Sequence, residues 1–136
     1  MIGKFDNNMQ FHEVALRLRE QRQQVLASNI ANADTPNYKA RDFDFAQAMQ
    51  HALAPANSGA SELSATNSAH FSAGSSQTIG GVPLQYRAIR QGSVDGNTVD
   101  MDVERNQFTD NALRYEASLT IVTGQIKDML AALQQG

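Results

Sequence analysis

Cysteine and tryptophan are both missing from the 136 residues of this chain, and proline occurs only three times. Without a thiol there is no disulfide to staple the fold, no thiolate nucleophile and no cysteine ligand for a metal. Aromatic residues make up only 7% and the mean hydropathy is negative, so a compact core would have few bulky side chains to draw on. Lys and Arg number 11 against 14 Asp and Glu, a formal charge of −3. That balance supplies no clustered positive field for nucleic acid. A basic amphipathic segment suited to a membrane surface is lacking, and so is the run of about 18 apolar residues that membrane insertion would need. The opening residues, Met1 to Asn8, have no apolar stretch of the kind a cleaved secretory signal requires, so none is expected.

Catalytic patterns are equally scarce. His12, His51 and His70 are scattered, with no paired spacing and no acidic neighbours placed as ligands. The acidic run from Asp95 to Glu104 has its glycine second, with Val99 and Met101 at positions where a calcium loop needs oxygen, so it reads as a turn followed by a helix cap. Gly80-Gly81 does not open a helix after a strand, as a phosphate loop would. The serines lie in a low-complexity stretch without a positioned base. No catalytic residue, metal or cofactor is expected, and the chain is not expected to be an enzyme.

The chain does contain an apolar seven-residue repeat through its last third. Phe108, Ala112, Tyr115, Leu119, Val122, Ile126, Met129 and Leu133 follow steps of four and three, which places them along one face of a helix. A helix from near Asp102 to Gln134 would be roughly 50 Å long at about 1.5 Å per residue. A seam of that length calls for a long partner. The other terminus offers one. From about Asn8 to Asn32 there is no Pro or Gly, and Phe11, Leu18 and Val25 recur every seven residues, with Ile30 widening the face. The middle of this segment, Arg17 to Gln24, is strongly polar, so its apolar stripe is narrow and the helix depends on neighbours. Asn29 and Asn32 fall on or near the seam. One reading makes them buried register-setting residues; another puts them on a solvated flank or in a frayed last turn.

Pro36 requires the helix to end near Asp34, and Pro36-Asn37 suits the centre of a turn in which Asn37 takes a positive φ. Phe43 and Phe45 alternate like a short extended segment, and Phe45 to Leu53 could begin a short helix. From Ala54 to Val82 the composition is small and polar, and this span is expected to be flexible. Leu84 to Arg90 alternates in the strand manner, and Asp95-Gly96 signals a turn, so a small β element is expected beside the C-terminal helix. Asp100, Asp102 and Glu104 put negative charge where a helix N-terminus favours it. The expected fold is therefore mainly α: two long terminal amphipathic helices forming a coiled-coil-like pair around a short β or irregular, flexible middle. The corresponding segments are 1–35, 36–100 and 101–136.

Two stretches carry a family resemblance. SNIANADTPNYKA, residues 28–40, resembles the N-terminal motif shared by bacterial flagellar rod and hook proteins. DGNTVDMDVERNQFTDNALRY, residues 95–115, is similar to the corresponding block of the proximal-rod subtype. Asn37 departs from the glycine usual at its position, although asparagine also tolerates the left-handed region. The resemblance implies a subunit exported unfolded through the flagellar type III apparatus, without signal cleavage. It implies helical polymerisation into a tube with the terminal helices in an inner layer, at the base of a rod that crosses the periplasm. The implied partners are further copies of the chain, other rod proteins, and a small adaptor protein that joins the rod base to the export gate. The helix residues above, Phe11, Leu18, Val25, Asn29, Ile30, Asn32 and the stripe from Phe108 to Leu133, are assigned to subunit packing, and Thr35, Pro36, Asn37 and Tyr38 to the family's turn. The competing reading is a soluble helical adaptor or export chaperone of a type III secretion system, which would also present amphipathic helices.

Overall fold

A computed structural model describes residues 2–54, 78–89, 93–134 and 136. Two long helices dominate it: α1, Ile2–Ala31, and α3, Met101–Gln134. They lie antiparallel, because Asn29 near the end of α1 meets Glu104 near the start of α3, whereas Arg22 meets Gln107 and Arg19 meets Asn111. Helix α1 begins six residues before Asn8, where the stretch free of Pro and Gly starts. Its first turns, through Lys4 and Asp6, are exposed and carry no helix breaker other than Gly3.

Between the helices come β1 (Arg41–Asp42), the short helix α2 (Phe45–Leu53), and three two-residue strands, β2 (Thr78–Ile79), β3 (Val82–Pro83) and β4 (Gln85–Tyr86). Asp44 caps α2, its side chain accepting a hydrogen bond from the Gln47 amide at 3.0 Å. The strands form two separate antiparallel pairs, β1 with β4 and β2 with β3. Gly80 and Gly81 both have positive φ, +59° and +79°, as the two central residues of a tight hairpin require. The flexible span expected from composition must therefore be shortened at its end. Val82 is 1% exposed, and a Cβ on Gly80 would lie 2.8 Å from Leu18 Cδ2, so this hairpin belongs to the core. Residues 55–77 of that expected span, His70 among them, lie outside the described residues.

The core is small and lies at one level of the pair. Val14, Ala15 and Leu18 of α1 pack with Phe43, with Ala48 and Met49 of α2, and with Val82 of β3. The β element thus rests on α1 and α2, and it reaches α3 through Arg87, the residue after β4, which pairs with Glu104. Beyond this level, toward residue 2 of α1 and residue 134 of α3, the two helices run on without a third layer among the described residues.

Candidate assembly surface

The closed end of the helix pair is polar. At the C-terminus of α1, Asn32 Nδ2 donates to the Ser28 carbonyl at 2.8 Å, and the Tyr38 amide reaches the Thr35 carbonyl at 3.3 Å across Pro36-Asn37. Asn37 has φ of 60°, as that turn demands. The last carbonyls of α1 have no partner within the helix, as at any helix end. A side chain from far along the chain supplies one: Asn97 Nδ2 lies 2.9, 2.8 and 2.8 Å from the carbonyl oxygens of Asn32, Ala33 and Thr35. The Asp95-Gly96 turn forms, with Gly96 at φ +76°. No strands flank it among the described residues, because its hydrogen bonds go to the turn after α1 instead. The Asn37 amide donates to the Asp95 carbonyl at 3.0 Å, the Thr98 amide to the Tyr38 carbonyl at 3.0 Å, and the Ala40 amide to Thr98 Oγ1 at 2.9 Å.

Beneath this clasp is a buried charge network. Glu104, fully buried, accepts from Asn29 Nδ2 at 3.2 Å and pairs with Arg87. Arg87 also reaches Asp42 at 2.8 Å, and Asp42 receives Arg22 through two nitrogens, at 3.2 and 2.9 Å. Arg22 continues to Gln107 Oε1 at 3.0 Å, so the chain of contacts joins α1, β1, the residue after β4, and α3. Burial raises the Glu104 pKa, and the Asn29 hydrogen bond and the Arg87 charge only partly offset it. Burial pushes Asp42 the same way, but the hydrogen bonds and charge of Arg22, with the Phe43 amide and Arg87, hold its pKa below the usual value. An open cleft of about 850 Å³ lies over this network, but the two arginines that line it are already neutralised by Asp42 and Glu104. Among the described residues no group of three or more His, Asp and Glu could hold a metal ion, and no helix is long and apolar enough to cross a membrane.

Asn29 takes the buried, bridging role of the two readings its spacing allowed: its Oδ1 accepts from the Arg41 amide at 3.1 Å and from Tyr38 Oη at 3.2 Å. Asn32, half-buried, finishes the helix end. Glu104, expected to put negative charge at the start of the C-terminal helix, does lie in the first turn of α3 and is also the innermost acid of the network.

The seam between α1 and α3 continues this polar character. On α3 the fully buried residues are Glu104 and Asn111, seven apart, and the half-buried Ser118 and Gln125 extend the same heptad row. Asn111 Nδ2 donates to the Arg19 carbonyl at 2.8 Å and to Gln23 Oε1 at 2.7 Å. In the polar middle of α1, Arg19 and Gln23 face this row, while Arg17, Glu20 and Gln24 are exposed. Polar residues in a helix seam set register while contributing little burial.

The apolar stripe of α3 lies to one side of that row. Phe108, Ala112, Tyr115 and Val122 are half-buried. Leu119, Ile126 and Met129 remain 40, 41 and 39% exposed, and Leu133 is 73% exposed. Leu113, Ile121 and Leu130 add further exposed apolar surface on other sides of α3, and Phe5 and Phe11 do so on α1. Leu18, by contrast, is used inside the subunit, and Val25 and Ile30 are half-buried. Fully burying one such side chain is worth about 1.5–3 kcal/mol. Residues left two-fifths exposed each keep roughly 1 kcal/mol of that available to a neighbour. A helix apolar on several sides is a helix that becomes buried on several sides.

Comparison with known proteins gives this surface a context. The family model described as "Flagella basal body rod protein" matches residues 9–39, the stretch that includes the end of α1 and its turn. The chain is 49% identical over 138 residues to the flagellar basal body rod protein FlgB of Escherichia coli (strain K12), covering 100% of this chain and 99% of that one. It is 46% identical to FlgB of Yersinia ruckeri, with both chains covered in full, and 42% identical to FlgB of Cereibacter sphaeroides (strain ATCC 17029 / ATH 2.4.9), with 96% of each chain covered.

Proposed function

The chain belongs to the FlgB family of flagellar basal body rod proteins, and from that premise we propose that it assembles through its two terminal helices into the proximal rod. Membership makes it a structural subunit of the basal body. The finer reading is that copies add side by side through unlike faces, which yields an open helical array and not a closed ring or dimer. In that array the distal parts of α1 and α3 form an inner layer. Phe11, Leu119, Ile126, Met129 and Leu133 are then covered by neighbouring copies, and the turn Thr35-Pro36-Asn37-Tyr38 closes the pair. Other rod proteins continue the array outward, and a small adaptor protein joins its base to the export gate. The chain reaches the site through the type III export apparatus without signal cleavage, and the finished rod transmits torque.

The observation that supports this reading most is the exposure of the distal half of α3, where Leu119, Ile126, Met129 and Leu133 remain about 40% exposed or more. Two long helices that meet along a polar seam are marginal by themselves, since helices draw most of their stability from packing. Circular dichroism across a dilution series tests the proposal. The free subunit is expected to be partly helical when dilute and to gain helix as concentration rises. Full helicity at every dilution with a fixed small oligomer would instead favour a soluble adaptor or chaperone.

A further inference from the structure

We infer that Asn97 is a positioning residue for assembly: it latches the end of α1 to the start of α3 and so fixes how the two helices are presented to a neighbouring copy. The inference rests on the rod-subunit reading and deepens it. Asn97 is 5% exposed, and its side chain is used at both ends. Nδ2 serves the carbonyls of Asn32, Ala33 and Thr35, where α1 stops, and Oδ1 accepts from the Val99 amide at 2.8 Å. The next residue, Asp100, caps α3, its Oδ1 accepting from the Asp102 amide at 3.1 Å. One side chain therefore spans the junction at which an antiparallel pair sets its register.

The strap that carries Asn97 is held almost wholly by polar contacts. Ser93, Val94 and Asp95 are exposed, Val94 completely so. Its attachments are the Asn97 bonds, the backbone bonds to Asn37 and Tyr38, the Thr98 bond to Ala40, and Lys39 Nζ on the Gly96 carbonyl at 2.9 Å. Among the described residues the strap has no buried apolar anchor, and a segment so held opens locally, independently of the core. Opening would take the Asn97 donor from the carbonyls of Asn32, Ala33 and Thr35, leaving Asn32 and Thr35 only the Thr35 and Tyr38 amides, and free the closed end of the pair, while Val14, Leu18 and Met49 stay packed. Gly96 fits the same account, since a Cβ there would lie 2.5 Å from Asn37 Oδ1.

Amide hydrogen exchange on the full chain, read by segment, tests the latch, and sedimentation of assembled material tests its link to assembly. In Asn97→Ala, exchange at residues 31–38 is expected to quicken about tenfold, the size of one or two lost hydrogen bonds, while residues 14–18 keep their protection. Asn97→Asp should be worse near neutral pH, because a carboxylate donates nothing and opposes the negative end of α1. Acid should partly restore it, since the neutral acid regains one donor. Wild type at the same pH controls for Asp95 and Asp100 of the strap, for Lys39, which reaches it, and for Asp34 in the turn that Asn97 bonds. If either variant also loses protection at 14–18, Thr98→Val, which removes only the acceptor of the Ala40 amide, should quicken 36–40 alone. Both Asn97 variants should assemble poorly. Unchanged exchange at 31–38, or no acid recovery of Asn97→Asp beyond wild type, would overturn the latch. Faster exchange with normal assembly would overturn its role in presenting the helices. Failure of the wild type to assemble would count against the rod reading alone, because exchange is read on the free subunit.

Discussion

Ile126→Asp is expected to abolish rod formation while leaving the free subunit as helical as the wild type. The side chain is 41% exposed on the isolated chain, so a carboxylate there remains hydrated and costs the fold little. In an array, the same carboxylate would be pressed against apolar neighbours. Removing an unpaired charge from water costs several kcal/mol even after relaxation, and the penalty recurs at every subunit added. Ile126→Val removes one methylene and should cost about 0.5–1.5 kcal/mol per contact, so it should assemble with at most a modest defect. Expression of each in a strain lacking its own proximal-rod protein, scored by motility and by isolation of basal bodies, separates the two. A motile Ile126→Asp strain would mean that this face of α3 is not covered in the rod.

Arg87→Ala should produce the largest effect on the subunit itself. The guanidinium is the cation paired with Glu104, whose side chain is 1% exposed, and it also holds Asp42. Breaking a buried pair by deleting one member leaves a charge uncompensated and typically costs about 3–5 kcal/mol, a large share of what a core this small supplies. Urea unfolding should register that loss near neutral pH. The size of the loss should also depend on pH, with a sign that follows from the two acids. Glu104 has a folded pKa above its unfolded one, so its contribution is fully present below the unfolded pKa and is lost as pH rises through the folded value. Asp42 has a folded pKa below its unfolded one, so its contribution is present above the unfolded pKa and is lost as pH falls through the folded value. Without Arg87 the Glu104 carboxyl is held still less well as an anion. The gap between variant and wild type should therefore narrow on acidification, as Glu104 takes up its proton. A gap that is constant with pH would show that Arg87 acts through packing and not through charge.

Much of this architecture is legible in local sequence patterns, and the parts that are not share a cause. The absence of Pro and Gly from residues 8–32 and the heptad after Asp102 identify the two helices, because helix periodicity is a property of neighbouring residues. Pro36-Asn37 likewise states its turn, and Asn37 duly has φ of 60°. The side of α3 that faces α1 is not stated by the apolar stripe. It is set by Glu104 and Asn111, whose partners Asn29, Arg19 and Gln23 lie far away in the chain. A polar residue inside a helix seam looks like a solvated one until its partner is known. The same holds for Arg87, which reads as an ordinary strand arginine, and for Asn97, which reads as a turn residue. The polar run from Arg17 to Gln24 was a usable signal for a polar partner face on α3. The Gly80-Gly81 hairpin was obscured differently, because its small residues resemble the low-complexity stretch before them, and only Val82 enters the core.

The absence of cysteine allows one direct test of whether the distal face of α3 is covered by neighbours. In an Ile126→Cys chain that still assembles, a maleimide should label the thiol readily on the free subunit and scarcely at all in isolated basal bodies. A Val94→Cys chain should be labelled on the free subunit too, as an accessible-site control. Equal labelling of position 126 in both states would contradict the claim that assembly buries this face.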